Sequence, residues 1–162
     1  DLGRVLIASS DIPAPWGSHP DFDPLLTSST LEIVHDGASL SRLDKVRLIA
    51  DWPLVHRPPR VCWENRSSAL NLGICENCVR TQAQFAAAES LHLLECFPEG
   101  KLLDRIEGVP WLAEHARRWW LEIGDALEQA ELSEAVDRLL RRRAPMTPPS
   151  RLKRLIRSTF GP

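Results

Sequence analysis

The sequence predicts an α/β fold followed by a helical C-terminal extension. Two short apolar runs with β-branched residues, "RVLIASS" and "LEIVHDG", are each followed by loop residues, which is typical of buried strands. A helical pattern, "SLSRLDKVRLIADWP", comes directly after the second run. Strand, loop, strand and helix in this order are characteristic of an α/β layer.

The predicted first helix has recognisable signals at both ends. Ser41 is expected to cap its N-terminus, because Asp44 stands three residues later as in a capping box. Pro53 is expected to end it. Lys45 then lies in the first turn, where the helix dipole favours a bound anion such as a nucleotide phosphate. The alternative is a solvated lysine that pairs with Asp44.

The rest of the chain is predicted to be helical. We expect one long helix in "CENCVRTQAQFAAAESLHLLECF". A second helix is expected to begin at Pro110 in "PWLAEHARRWWLEIGDALEQAE". A third is expected in "SEAVDRLLRRR", with Ser133 as its cap. At least one of Trp119 and Trp120 is expected in a core or docking surface. The predicted units are residues 1–108 (α/β domain), 109–144 (helical extension) and 145–162 (linker and basic amphipathic helix).

Composition indicates a globular protein without a membrane span. The chain has 162 residues and a net charge of -2, which disfavours general capture by nucleic acid, although the segment from Arg138 to Arg157 is locally basic. No apolar run reaches about 18 residues, and no secretory signal opens the chain, so we expect a cytoplasmic location. The sequence lacks an initiator Met, and we expect it to be the later part of a longer protein.

Three clustered cysteines indicate a metal site. Cys75 and Cys78 form a C-x-x-C pair at a predicted helix start, and the intervening loop allows Cys62 to reach them. Three thiolates suit zinc, which prefers four tetrahedral ligands in a structural site. A redox dithiol and inert thiols are the alternatives. Cys96 would lie about five turns beyond Cys78 on a straight helix, so His56 is the nearer candidate for a fourth ligand.

Polar residues in the first loop are candidates for ligand binding. His19, Asp21 and Asp23 are suited to orienting a substrate amine or holding Mg²⁺, and Trp16 to stacking on a purine. The alternative is that these residues shape turns or pack in the core. His35 ends a predicted strand, where α/β sheets bind their ligands. Arg80 either binds an anionic group or pairs with Glu76 one turn back.

Several short motifs resemble the 7-cyano-7-deazaguanine synthases, a branch of the PP-loop (N-type) ATP pyrophosphatases. In "LNLGICENCVRTQAQF" and the segment before it, Cys62, Cys75, Cys78 and Arg80 match that family's cysteines and arginine, and Phe85 matches a later aromatic residue. Leu72 takes the place of the remaining zinc cysteine. The segment "SSDIPAPWGSHPDF" is similar to the family's strand-to-loop segment, with Asp11, Pro20 and Asp21 at the places of its Asp and its Pro-Asp. The segment "SRLDKV" resembles the one in which a lysine, here Lys45, begins a helix. Bacterial relatives also contain a segment that reads "PWGSHP". The likeness spans residues 4–95.

The resemblance implies a partial doubly wound parallel sheet of the PP-loop, adenine nucleotide alpha hydrolase-like type. It also implies an ATP-dependent reaction in which a carboxyl or carbonyl oxygen is adenylated and a nucleophile then displaces AMP. The family's S-G-G-x-D-S nucleotide loop does not occur in this sequence, and no G-x-x-x-x-G-K-S motif replaces it. We therefore expect ATP and Mg²⁺ to bind only if a preceding N-terminal half supplies that loop.

The function predicted from these observations is the later half of an ATP-dependent C–N ligase-like synthase of the queuosine-biosynthesis type, with a structural Zn²⁺. The predicted nucleotide- or substrate-binding residues are Lys45, Asp21, Trp16, Arg80 and His19. The alternative is a non-catalytic zinc-stabilised module that binds a protein or RNA partner. The expected partners are a small-molecule substrate and either a second copy or the missing N-terminal half; a membrane is not expected, and nucleic acid is not favoured.

Overall fold

Two parallel strands, six α-helices and two short 3-10 helices (Asp23–Leu26 and Leu91–Leu93) make up the regular structure of the described residues. A computed structural model describes residues 3–11, 18–56, 60–62, 64, 66 and 68–143. The strands β1 (Arg4–Ala8) and β2 (Glu32–Asp36) pair in parallel with Arg4 opposite Glu32 and Ala8 opposite Asp36. The predicted α/β class is therefore confirmed, although the described sheet has only these two strands. The linker and basic helix predicted at 145–162 lie outside the described residues.

The first helix has the predicted cap. α1 (Arg42–Ile49) begins after Ser41, whose hydroxyl accepts the Asp44 N–H, while the Asp44 carboxylate accepts the Ser41 N–H. The helix ends earlier than predicted, because Pro53 opens a separate short helix, α2 (Pro53–His56), instead of ending α1. Proline suits the first position of a helix, where its missing N–H removes no bond.

The helix that follows the cysteine pair is shorter than predicted. α3 (Glu76–Ala87) ends where Glu89 adopts a left-handed φ of 56°. The Ser90 N–H then donates to Phe85 O, and the Glu89 N–H donates to Ala86 O, which is the pair of bonds that defines a Schellman C-cap. The single long helix predicted for this segment is therefore wrong, and Cys96 does not lie on it.

Most of the buried apolar core belongs to the C-terminal helices. These are α4 (Leu102–Gly108), α5 (Glu114–Ala126) and α6 (Ala130–Arg141). Their core cluster also includes Val79 and Ala83 of α3, so it extends across the boundary predicted at residue 108. Trp119 and Trp120 are both buried. Ser133, predicted as a cap, lies inside α6, and its hydroxyl donates to Gly124 O.

In the part of the chain that the structure describes, no helix has the length and apolar character needed to cross a membrane.

Candidate metal centre and ligand cavity

Three buried cysteines come together beside the N-terminus of α3. The Sγ atoms of Cys62, Cys75 and Cys78 all lie within 4.8 Å of one another, and the Cys62 and Cys75 sulfurs are 3.8 Å apart. All three are free thiols. Cys75 is the N-cap of α3 and Cys78 lies in its first turn, so the C-x-x-C spacing directs both sulfurs to one side. The predicted convergence is confirmed, and this group could hold a metal ion.

Asn71 connects the segment that carries Cys62 to the rest of the site. Its side-chain Oδ1 accepts the N–H groups of Val61 (2.9 Å) and Cys62 (3.0 Å), and Asn77 donates to Val61 O from the start of α3. Asn71 itself is 2% exposed. Cys62 is therefore held next to the C-x-x-C pair by side-chain amides and not by a strand, because the described residues 60–62 form none.

A second set of hydrogen bonds holds the turn before Cys75. Gly73 has a φ of +76°, and a Cβ there would lie 2.9 Å from Pro98 Cδ. Gln82 donates both to Gly73 O (3.1 Å) and to Cys78 O (3.0 Å). Arg105 of α4 donates to the Gln82 side chain and to Pro98 O. The turn is thus tied to α3 and α4, and the positions of the sulfurs depend on both helices.

The three thiols differ in their electrostatic environments. Hydrogen bonding from the backbone of Leu72, with a second backbone bond from Glu64, lowers the pKa of Cys62 to about 7, although burial opposes it. Burial raises the pKa of Cys75, and burial raises the pKa of Cys78 to about 12. A divalent metal would replace the protons of these two thiols, since the thiolate is the form that binds metals.

No fourth ligand lies in this cluster among the described residues. Leu72 and Phe97 pack against the cysteines instead, and the His56 ring nitrogen Nε2 lies 2.7 Å from Ala50 O. The turn after α3 brings Cys96 back towards the site, where its carbonyl accepts from Asn71 Nδ2 at 3.3 Å. Cys96 was predicted to lie five turns away; it is close to the site, but its sulfur is not part of the cluster.

A cavity lies at the carboxyl ends of the two parallel strands. Its volume is about 470 Å³, and its lining includes Ser9 after β1, His35 of β2, Lys45 of α1 and Gln84 of α3. This edge of a parallel sheet is where α/β proteins commonly bind ligands. No acidic residue belongs to the described lining, whereas Arg42 and Lys45 both do. The cavity therefore has a positive wall.

The predicted ligand-binding residues are not all in one place. Lys45 lines the cavity. His19 and Asp21 are near each other, with 3.7 Å between His19 Nδ1 and Asp21 Oδ2, but the Asp21 side chain is 81% exposed, and neither residue lines the cavity. Trp16 lies outside the described residues.

Arg80 is largely internal. It is 6% exposed, its guanidinium lies 4.4 Å from the centroid of the Trp119 ring, and it pairs with Glu76 at 3.4 Å. Burial lowers its pKa, and the charge of Glu76 opposes that effect. Of the two roles considered for Arg80, the pairing with Glu76 is the contact observed.

Two polar features of the cavity do not follow from sequence spacing. His35 Nε2 lies 2.9 Å from Asp23 Oδ2, across 12 positions of chain. Gln84 is 5% exposed although it is polar, because it points inward from α3. Gln84 shares its helix face with Arg80 and Thr81, so the local sequence gives no signal that its side chain is buried.

Comparison with protein-family models, with curated proteins and with solved structures gives no match. The geometry of the cysteines and of the cavity is therefore the basis for inferring function.

Proposed function

We propose that Cys62, Cys75 and Cys78 bind a structural Zn²⁺. The observation that carries this proposal is the convergence of three buried sulfurs within 4.8 Å. Three thiolates are a soft donor set that suits zinc, and buried thiols held by amide hydrogen bonds are typical of structural sites. The ion would join the segment at Cys62 to the N-terminus of α3. A closed structural site then needs a fourth ligand from outside this cluster.

Replacement of zinc by cobalt tests the donor set. The Co²⁺ form is expected to show the intense visible bands of a tetrahedral ion together with sulfur-to-metal charge transfer. Loss of one thiolate in Cys75→Ser should weaken the charge-transfer band, whereas Cys96→Ser should leave it unchanged. An octahedral spectrum, or charge transfer that is equal in both variants, would contradict the assignment.

We also propose that the domain is the zinc-bearing, substrate-binding half of an ATP-dependent ligase or synthase that adenylates a carboxyl or carbonyl oxygen. Support comes from the cavity at the carboxyl ends of parallel strands and from Lys45 in its wall. The small size of the sheet also supports the proposal. Parallel sheets normally have more strands and have both faces covered, whereas Leu6 of β1 is 60% exposed here. In a doubly wound sheet with further strands, the helices that connect the strands would cover this face.

Pyrophosphate release tests the enzymatic proposal. A protein that carries this chain together with a nucleotide loop is expected to convert ATP to AMP and pyrophosphate when the matching acid is present. Lys45→Met should reduce this release, whereas Arg47→Met, on the exposed side of the same helix, should not. Absence of release across a panel of small carboxylic acids would contradict the proposal.

A second candidate function is a non-catalytic module that binds a protein partner. It is favoured by exposed apolar side chains on and after α1, namely Leu48 (72% exposed), Trp52 (55%) and Leu54 (66%). RNA binding has less support, because Arg138 pairs with Glu107 and Arg142 donates to the carbonyls that end α4. The pyrophosphate assay separates this candidate from the ligase.

A further inference from the structure

Two of the residues that line the cavity carry buried polar atoms without a partner in the part of the protein that the structure describes. In the described part of the chain, three buried side-chain nitrogen or oxygen atoms have no hydrogen bond, and two of them, His35 Nδ1 and Gln84 Nε2, belong to residues that line this cavity. Buried polar groups in native proteins are nearly always paired, and an unpaired one calls for a specific explanation. A bound ligand with complementary groups would supply the missing bonds.

The pairing of His35 with Asp23 fixes what Nδ1 can offer. His35 Nε2 lies 2.9 Å from Asp23 Oδ2, and their side chains are 7% and 15% exposed. Although burial raises the pKa of Asp23, bonds from the His19 backbone N–H and from His35 hold it below its usual value, so Asp23 is an acceptor at neutral pH. The bond to the carboxylate selects the tautomer with the proton on Nε2, in which Nδ1 presents a lone pair.

His35 and Gln84 offer opposite hydrogen-bonding groups. The Nδ1 lone pair accepts, and the Gln84 amide nitrogen donates. A hydroxyl group does both, since it has one O–H donor and two acceptor lone pairs. The hydrogen-bonding chemistry of a ligand hydroxyl therefore matches both residues.

Lys45 indicates a second, negatively charged part of the ligand. Its ammonium lies over Gly37, where a Cβ would come within 2.8 Å of Lys45 Nζ, so the absence of a side chain at Gly37 makes room for it. Lys45 is half-buried and makes no ion pair with any residue that the structure describes. With no carboxylate in the described lining, the ligand itself is the natural counter-ion.

We propose that this cavity binds a small acid that also carries a hydroxyl group, with the acid paired to Lys45 and the hydroxyl held between His35 and Gln84. Carboxylate and phosphate share this chemistry. The inference deepens the proposed function by naming the substrate class of the same cavity. It requires neither ATP nor a nucleotide loop, so the two proposals fail in different experiments.

Titration of the zinc-loaded chain by NMR tests the proposal, with glycolate, inorganic phosphate and acetate as probes. Glycolate or phosphate should give saturable shifts at His35 and Lys45, and the tighter of the two identifies the acid group. Acetate, which lacks the hydroxyl, should bind about tenfold more weakly than glycolate, as expected for loss of a hydrogen-bonded group. Equal affinity for glycolate and acetate, or no saturation by either hydroxyl-bearing probe, would overturn the proposal.

Variants separate the two contacts. Lys45→Met should weaken all probes about tenfold or more, whereas Arg47→Met should bind them as the unmodified chain does. Gln84→Met, which is close in size, should lower glycolate affinity to the level of acetate. Unchanged binding in Lys45→Met, or in a folded Gln84→Met chain, would contradict the assignment.

The tautomer of His35 provides a check that needs no variant. Nitrogen chemical shifts of the free protein should show the proton on Nε2 and an unprotonated Nδ1. A proton on Nδ1 at neutral pH would remove the acceptor and with it the proposed hydroxyl contact.

Discussion

At the scale of single residues, Gly73 has the most demanding position near the cysteines. Its φ of +76° belongs to the left-handed region, and Pro98 fills the space that a side chain would need. The turn presents its carbonyl to Gln82, which also bonds to Cys78 O. A small change at Gly73 is therefore transmitted directly to the site.

Gly73→Ala should lower the free energy of unfolding by about 1–3 kcal/mol, the range for a residue forced into strained backbone, and should weaken zinc binding. Urea denaturation and zinc titration measure the two effects. Gly108→Ala is the matched control, because nothing lies within 4 Å of a Cβ there. Equal losses in the two variants would show that the turn is not critical.

The Asp23–His35 pair predicts a dependence of stability on pH. Burial raises the pKa of Asp23, but hydrogen bonds from the His19 backbone and from His35 outweigh it and hold the pKa below its usual value in the folded state. A depressed carboxylate pKa contributes stability that is present above the unfolded value and lost as the pH falls through the folded value. Asp23→Asn should therefore lower stability near neutral pH and lose less of it than the unmodified chain as the pH falls below about 4.

Denaturation curves from neutral to acid pH measure this effect. Asp21→Asn is the control, since the Asp21 side chain lies in the same loop and is 81% exposed. The explanation fails if Asp23→Asn and the unmodified chain lose stability in parallel as the pH falls.

At the scale of elements, the end of α3 determines where the following chain can go. A Schellman cap usually has glycine at the left-handed position, but here Glu89 occupies it. The sequence "AAAESLHLL" therefore lacks the glycine that would have predicted the stop. The cap of α1 was predictable because Ser41 and Asp44 are the residue types that the local hydrogen bonds require.

Glu89→Gly should raise the free energy of unfolding by about 1 kcal/mol, since glycine avoids the cost of a left-handed φ. Glu89→Ala keeps that cost and should bring no such gain. Thermal or urea denaturation of both variants tests the cap, and a gain in Glu89→Ala equal to that in Glu89→Gly would contradict this explanation.

At the scale of the whole molecule, the described residues contain two separate hydrophobic clusters. One contains Cys62, Cys75 and Cys78 with Val61, Leu72 and Phe97, and the other extends from Val79 in α3 to Leu139 in α6. A metal in the first cluster should therefore stabilise the segment from residue 60 to the start of α3 much more than it stabilises α5 and α6.

Hydrogen exchange after removal of zinc tests this division. Chelation should speed exchange in residues 60–80, whereas the amides of α5 and α6, around Trp120 and Val136, should keep most of their protection. Faster exchange throughout the chain would show that the two clusters unfold together, and unchanged exchange in residues 60–80 would show that the metal does not hold that segment.

The sequence indicated local features of the site better than tertiary ones. The convergence of the cysteines was predictable, because C-x-x-C at a helix start orients two sulfurs and a 12-residue interval lets Cys62 return. The hydrogen bonds of Asn71 and the Asp23–His35 pair join residues 9 to 25 positions apart. Such contacts depend on how the elements pack, and no local pattern encodes them.

Zinc content per chain, measured after purification without chelator, is the decisive test of the proposed metal centre. One zinc per chain is expected for the unmodified protein and for Cys96→Ser, and a large loss for Cys75→Ser. Equal zinc content in Cys75→Ser and the unmodified chain, or no zinc in either, would contradict a metal centre built from Cys62, Cys75 and Cys78.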